Sequence, residues 1–109
     1  MKVNITGRRM ELTEGLKSAA EKKLGKLSKF FNEDAEAKVT FSIQKERHTV
    51  EVTIYASGMI YRAEETNSDM YAAIDKVADV IERQIRKNKT RLGKRLRENA
   101  LKTVEVESE

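Results

Sequence analysis

A chain of 109 residues has room for one hydrophobic core and too little length for two ordinary domains. With 39% hydrophobic and 37% charged residues it is richer in Ile, Val and Leu than a disordered chain, no apolar run approaches the roughly 18 residues of a membrane span, and the absence of cysteine excludes disulfides, Cys-ligated zinc and thiol catalysis. The 22 basic residues outnumber the 18 acidic ones only slightly, so what matters is where the charge lies; MKVNITGRR lacks the apolar centre of a secretory signal, and a cytoplasmic protein without membrane association is expected.

KVNITG alternates polar and apolar residues, with Val3 and Ile5 on one side, and reads as a short strand closed by Gly7. Thr13 then offers a helix cap, Glu14 suits the first turn, and Leu16, Ala20, Leu24, Leu27 and Phe31 recur at the spacing of one helical face, which predicts a helix over 14–31. NEDAEA breaks it. From Ala37 the period falls to two: Val39, Phe41 and Ile43 point one way, and after a turn near KERH a second strand buries Val50, Val52, Ile54 and Ala56. Ser57 and Gly58 make the next turn into MIYRAEE, a third strand of the meander, where Met59, Tyr61 and Ala63 compete with Ile60 for the inward face. TNSD supplies another helix start, with Asn67 or Ser68 as cap and Asp69 in the first turn; Met70, Ile74, Val77, Ile81 and Ile85 carry the helix to Lys89 or Leu92, before Gly93. The order is βαβββα. One polar face on every strand asks for an α+β sandwich of two layers, a four-stranded sheet with both helices on one side. The domain is expected over 1–92, with 93–109 as a basic, then acidic tail or the start of a linker.

The charge is very uneven. RQIRKNKTRLGKRLR, from Arg83 to Arg97, holds eight basic residues and no acidic one, while the last twelve residues set Glu98, Glu105, Glu107 and Glu109 against Lys102 alone. On a helical wheel Lys22, Lys26 and Lys29 fall within about 60° of one another, opposite Leu16, Leu24 and Leu27, and Lys23 lies near the core boundary. Lys76, Arg83 and Lys87 cluster likewise opposite Met70, Ile74 and Ile81, with Arg86 beside them. One such stripe is an ordinary solvated face. Two stripes of one sign next to an acid-free run are another matter, because solubility is served by mixed signs and like charges repel; the pattern implies an anionic partner. A phosphate backbone fits, and the shortage of aromatic residues on the polar strand faces, where only Tyr55 stands out, favours structured RNA read by shape over stacked single strands.

RAEETNSDMYAAIDKVADVIERQIRKNKTRL resembles the ribosome hibernation promoting factors, the group that includes protein Y, and MKVNITGRRMELTEGLKSAAEKKLGKLSKFF is similar to their first strand and helix. The specific portion is DMYAAIDK, Asp69 to Lys76, followed by the basic ERQIRKNK. The resemblance implies a βαβββα domain like a double-stranded RNA-binding domain with an added first strand. It also implies binding to 16S rRNA of the 30S ribosomal subunit, in the channel used by messenger RNA and the A- and P-site transfer RNAs, so that translation stops under stress or in stationary phase. The rRNA-facing residues it implies are Lys22, Lys23, Lys26 and Lys29 on the first helix and Lys76, Arg83, Arg86, Lys87, Lys89 and Arg91 on the second. Long members of the family continue through a linker into a carboxy-terminal domain that pairs ribosomes, and nothing in LKTVEVESE supplies one. KNKTRLGKRLRENA resembles the approach to that linker, so an amino-terminal, monomeric fragment of a long member is expected, able to block a ribosome but not to pair two.

Other classes find less support. The single histidine, His48, is expected on the surface of a hairpin turn beside Glu46 and Arg47; KLGK lacks P-loop spacing, and Glu64 and Glu65 point to opposite faces of a strand. No enzyme activity, cofactor, metal or small-molecule substrate is expected. A membrane-surface helix would need the apolar face that the core requires. A general RNA-binding module or RNA chaperone is the alternative.

Overall fold

The computed structural model describes residues 1–103, with side-chain surroundings through Lys89. β1 (Lys2–Arg8), α1 (Glu14–Gly25), a 3₁₀ segment (Lys26–Phe30), β2 (Glu36–Gln44), β3 (Arg47–Ala56), β4 (Met59–Asn67) and α2 (Met70–Thr103) follow in the anticipated order. The sheet order is β1-β2-β3-β4. β1 and β2 are parallel because α1 crosses between them, whereas β2, β3 and β4 form an antiparallel meander.

Alternation sets the core. Val39 and Phe41 of β2, Val50, Val52 and Ile54 of β3, and Tyr61 and Ala63 of β4 all face the helices and are buried. Register settles the ambiguity of β4: Tyr61 opposes Ile54 and Ala63 opposes Val52, Ile60 (63% exposed) faces outward, and Met59 (42%), opposite Ala56, is exposed at the start of the strand. Leu16, Ala20, Leu24 and Leu27 come down from α1 and the 3₁₀ segment, and Met70, Ile74, Val77, Ile81 and Ile85 from α2. Each fully buried Leu, Ile or Phe contributes about 1.5–3 kcal/mol. No polar or charged residue among the described ones is buried, so every charge that could recognise a partner lies at the surface.

Local geometry corrects several expectations. β1 runs through Gly7 to Arg8; a Cβ on Gly7 would stand 2.6 Å from the Met10 carbonyl oxygen, so this glycine admits the following loop and does not end the strand. The first helix is α-helical only to Gly25 and tightens to 3₁₀ over Lys26–Phe30, a frequent ending where the last carbonyls lack α-helical partners. Lys45 and Glu46 alone turn the β2–β3 hairpin, so His48 sits inside β3, half-buried and paired with Ile43 and Asn67, and not in the turn. At the β3–β4 hairpin both Ser57 (φ 51) and Gly58 (φ 77) take left-handed backbone, the conformation a twisted two-residue turn requires. Asp69, not Asn67 or Ser68, caps α2: its Oδ1 accepts from the Tyr71 N–H at 3.0 Å, while Asn67 Oδ1 accepts from the Asp69 N–H at 2.9 Å. α2 also passes through Gly93 to Thr103. Glycine inside a helix costs about 1 kcal/mol but stops nothing by itself, and the flanking Lys, Arg, Leu and Glu are good helix formers.

Candidate nucleic-acid interface

The two helices lie side by side on one face of the sheet and run in the same direction. Gly15, in the first turn of α1, abuts the Tyr71 hydroxyl in the first turn of α2; Lys23 reaches Asp75; and the Phe30 ring lies against Arg86. Their outer surfaces therefore form one continuous side of the molecule. On it, Lys22, Lys26, Lys29, Lys76, Arg83, Arg86, Lys87 and Lys89 are all exposed, and Lys23 is partly covered, as its place near the core boundary implied. Arg91 continues the series on the α2 backbone, and its side chain lies outside the described residues.

The 3₁₀ segment alters how the first helix presents its lysines. At three residues per turn, positions three apart eclipse, so Lys26 and Lys29 line up outward while Leu27 and Phe30 line up inward. Leu27 is buried and Phe30 half-buried against the core, which fixes the direction of both pairs.

The cationic stripes do not simply abut. The groove between the helices is lined by Lys23 and Lys26 from one side and by Asp75, Asp79 and Glu82 from the other. Lys23 Nζ stands 3.1 Å from Asp75 Oδ1, and Arg86 Nε donates to Glu82 Oε2 at 2.9 Å. Both pairs are about half solvated, so each contributes at most about 1 kcal/mol. Lys76, Arg83 and Lys87 lie about 80–140° around α2 from Asp75 and Glu82, on the flank turned away from the groove, with Asp79 between the two sets. Above β4, Gln84 Nε2 donates to the Arg62 carbonyl at 3.0 Å, which anchors α2 near that edge of the sheet. The surface thus has a mixed seam with a cationic ridge on either side. Among the described residues, Lys22, Lys26, Lys29, Lys76, Arg83, Lys87 and Lys89 pair with no carboxylate.

The ridges meet at one place, the carboxyl end of the 3₁₀ segment. There Lys29 lies over Phe30, Arg86 over the same ring, and Lys89 over Phe31. From the sequence Phe31 reads only as a core residue and Asp75 only as a surface residue, and Phe30, Asp79 and Glu82 do not stand out. The recurrence of Asp75, Asp79 and Glu82 at helical spacing, and the adjacent aromatic pair Phe30-Phe31, were the available signals.

A further group of cations gathers at the opposite end of the domain. Arg8 and Arg9, at the exit of β1, stand beside the β2–β3 turn with Lys45 and Arg47. Arg9 (φ 58) and Lys45 (φ 60) hold left-handed backbone without being glycine, which costs on the order of 1 kcal/mol each. By contrast, the helix-free face of the sheet mixes signs: Glu51 pairs with Arg62, Asn4 Nδ2 donates to Glu36 at 2.7 Å, and Lys38 lies 5.5 Å over the Tyr55 ring.

A family model described as "Sigma 54 modulation protein / S30EA ribosomal protein" matches residues 3–93. The chain is similar to a ribosome hibernation promotion factor of Lactococcus lactis subsp. cremoris (strain MG1363), 41% identical over 109 residues that cover 97% of this chain and 58% of that protein. It is also similar to a ribosome hibernation promoting factor of Escherichia coli (strain K12), 36% identical over 92 residues, 84% of this chain and 97% of the other. Among solved structures, the amino-terminal domain of Thermus thermophilus protein Y superposes with a TM-score of 0.74 at 32% identity, over 80% of this chain and 98% of that one. The chain therefore spans little more than half the length of relatives such as the Lactococcus protein and nearly all of shorter ones.

Proposed function

We propose, from the premise that the chain belongs to the sigma 54 modulation protein / S30EA ribosomal protein family, that it is a cytoplasmic ribosome hibernation factor whose helical side docks on the 16S rRNA of the 30S subunit. Occupying the channel of messenger and transfer RNA, it blocks translation sterically and catalyses nothing. The observation that carries this reading is the one-sidedness of the charge: among the described residues, six lysines and Arg83 from the helical layer share a single face without a carboxylate partner, while the opposite face of the sheet mixes its charges. Lysine and arginine side chains spread over such a surface suit phosphates, which position a protein on RNA without reading its bases.

Pelleting with purified 30S subunits across a salt series tests it. With about six phosphates neutralised, raising salt from about 50 to about 200 mM weakens binding by roughly a thousandfold. Competition by transfer RNA for the decoding site separates this function from that of a general binder of structured RNA, the second reading. Equal affinity for 30S subunits and for an unrelated RNA duplex, with no competition by transfer RNA, would leave only the second.

A further inference from the structure

Charge alone does not account for how the cations are held where the two ridges meet. Phe30 and Phe31 stand next to each other as the 3₁₀ segment ends, both half-buried against the core. Lys29 Nζ is 5.4 Å and Arg86 Cζ 5.1 Å from the Phe30 ring centroid, and Lys89 Nζ is 5.9 Å from that of Phe31. Lys29 and Arg86 come from different elements, yet neither can be farther from the other than twice the larger of their two distances to the shared ring. The rings are fixed in turn. Phe31 packs on Tyr61 with centroids 5.8 Å apart, and the buried Tyr61 hydroxyl accepts from Asn88 Nδ2 at 2.8 Å, tying α2 to β4 beneath the cluster. Arg86 is held from a second direction, since its Nε is committed to Glu82 and its two terminal amino groups remain as donors.

Bringing three like charges together is unfavourable unless something offsets their repulsion. An aromatic face does so through its quadrupole, without the formal negative charge that would cancel the attraction for a phosphate. Lys29 and Lys89 differ in this from Lys23, whose ammonium is already paired with Asp75, and from Arg86, which Glu82 balances in part. A ring also restrains a long side chain before any partner arrives, and ordering such side chains is one of the costs of association.

We infer that Phe30 and Phe31 are positioning residues for RNA binding: they preset Lys29, Arg86 and Lys89 as a cluster that takes backbone phosphate where the two helices converge. The inference rests on the proposed function in so far as the phosphate belongs to ribosomal RNA. Phe30 contributes most, since two of the three cations lie on its ring.

The test uses the full chain with Phe30→Leu, which keeps apolar contact but has no π face, and Phe30→Trp, whose ring binds cations best. Nuclear magnetic resonance of the free proteins should show ring-current displacement of the Lys29 and Arg86 side-chain resonances in the parent and in Phe30→Trp, and its loss in Phe30→Leu. Affinity for purified 30S subunits at fixed salt should fall about tenfold in Phe30→Leu and recover in Phe30→Trp, with the salt slope unchanged because the same phosphates are neutralised. Equal affinity of Phe30→Leu and the parent overturns the inference, as does an equal loss in both variants that follows their melting temperatures, since that would make Phe30 a packing residue only. If the parent itself fails to pellet with 30S subunits, the proposed function falls, and titration with inorganic phosphate decides the inference: phosphate must shift the Lys29 and Arg86 resonances more in the parent than in Phe30→Leu, and equal shifts overturn it.

Discussion

Replacing Arg83 and Lys87 together by glutamine separates recognition from stability. Both side chains are exposed on the flank of α2 away from the interhelical groove, and neither forms an ion pair among the described residues. They are four residues apart on one helix and repel each other by about 0.2–0.5 kcal/mol, while Asp79, four residues before Arg83, attracts it by a similar amount, so removing both charges should move the melting temperature by no more than about 2 °C, a domain of this size moving about 4–8 °C per kcal/mol. Binding should change far more. If each side chain neutralises one phosphate, the slope of log K against log salt becomes shallower by about 1.8, and a fourfold rise in salt costs the variant about twelvefold less affinity than it costs the parent. Reversing both charges, Arg83→Glu with Lys87→Glu, should abolish association with 30S subunits outright. Co-sedimentation at four or five salt concentrations, alongside thermal unfolding followed by circular dichroism, gives both quantities from one preparation. Retained binding with an unchanged slope would refute the assignment of this flank to the RNA, and a large fall in melting temperature would show that the flank was structural after all.

The seam makes its own prediction: Asp75→Asn with Asp79→Asn should strengthen 30S binding several-fold at low salt, with the gain fading as salt screens it, and should change stability by less than about 1 kcal/mol because the Lys23–Asp75 pair is about half solvated. Leu24→Ala or Ile81→Ala, each at a fully buried position, should cost about 2–5 kcal/mol and lower the melting temperature by more than about 10 °C, while material that remains folded keeps the parental salt slope. Gly93→Ala should increase helix content by circular dichroism, since alanine is about 1 kcal/mol better inside a helix; a decrease would mean that the chain needs glycine there to end α2.

The architecture was legible because periodicity changes cleanly along the chain. Val39 and Phe41 alternate with Lys38 and Thr40, and Met70 to Ile85 repeat at 3.6, so strands, helices and most inward faces followed without knowledge of the fold, although Ile43, which the same alternation places inward, is 41% exposed near the end of β2. Boundaries were less legible for local reasons. Gly7 looked like a strand terminator, yet it serves a close approach of the Met10 carbonyl; Gly93 looked like a helix terminator and lies within α2; Asp69 looked like a first-turn charge and is the cap itself. In each case the residue type was informative and its use depended on neighbours brought in by the fold. Ile60 against Tyr61 was a choice between faces that only pairing with Ile54 and Val52 could make, because both faces of that strand offered an apolar residue.

The interface divides along the same line. A wheel fixes which side of one helix is cationic, and each predicted cation through Lys89 except Lys23 is exposed, but a wheel carries no information about which flank of a helix meets its neighbour. The direction in which α1 and α2 run side by side decides that Asp75, Asp79 and Glu82 fall into the groove and that Lys76, Arg83 and Lys87 do not. Tightening at Lys26 then decides the rest. Continued as an α-helix, the segment would advance Phe30 by 300° from Leu27 instead of a full turn, and the ring would swing by about 60° away from the line of Leu27. In the 3₁₀ form Phe30 stays in that line, where it reaches Arg86 across the groove while Lys29 stays on its own ring. Any substitution that restores α-helical geometry over Lys26–Phe30 should therefore weaken RNA binding even with every lysine in place. The charge would be conserved, and the surface on which two helices combine their cations would not.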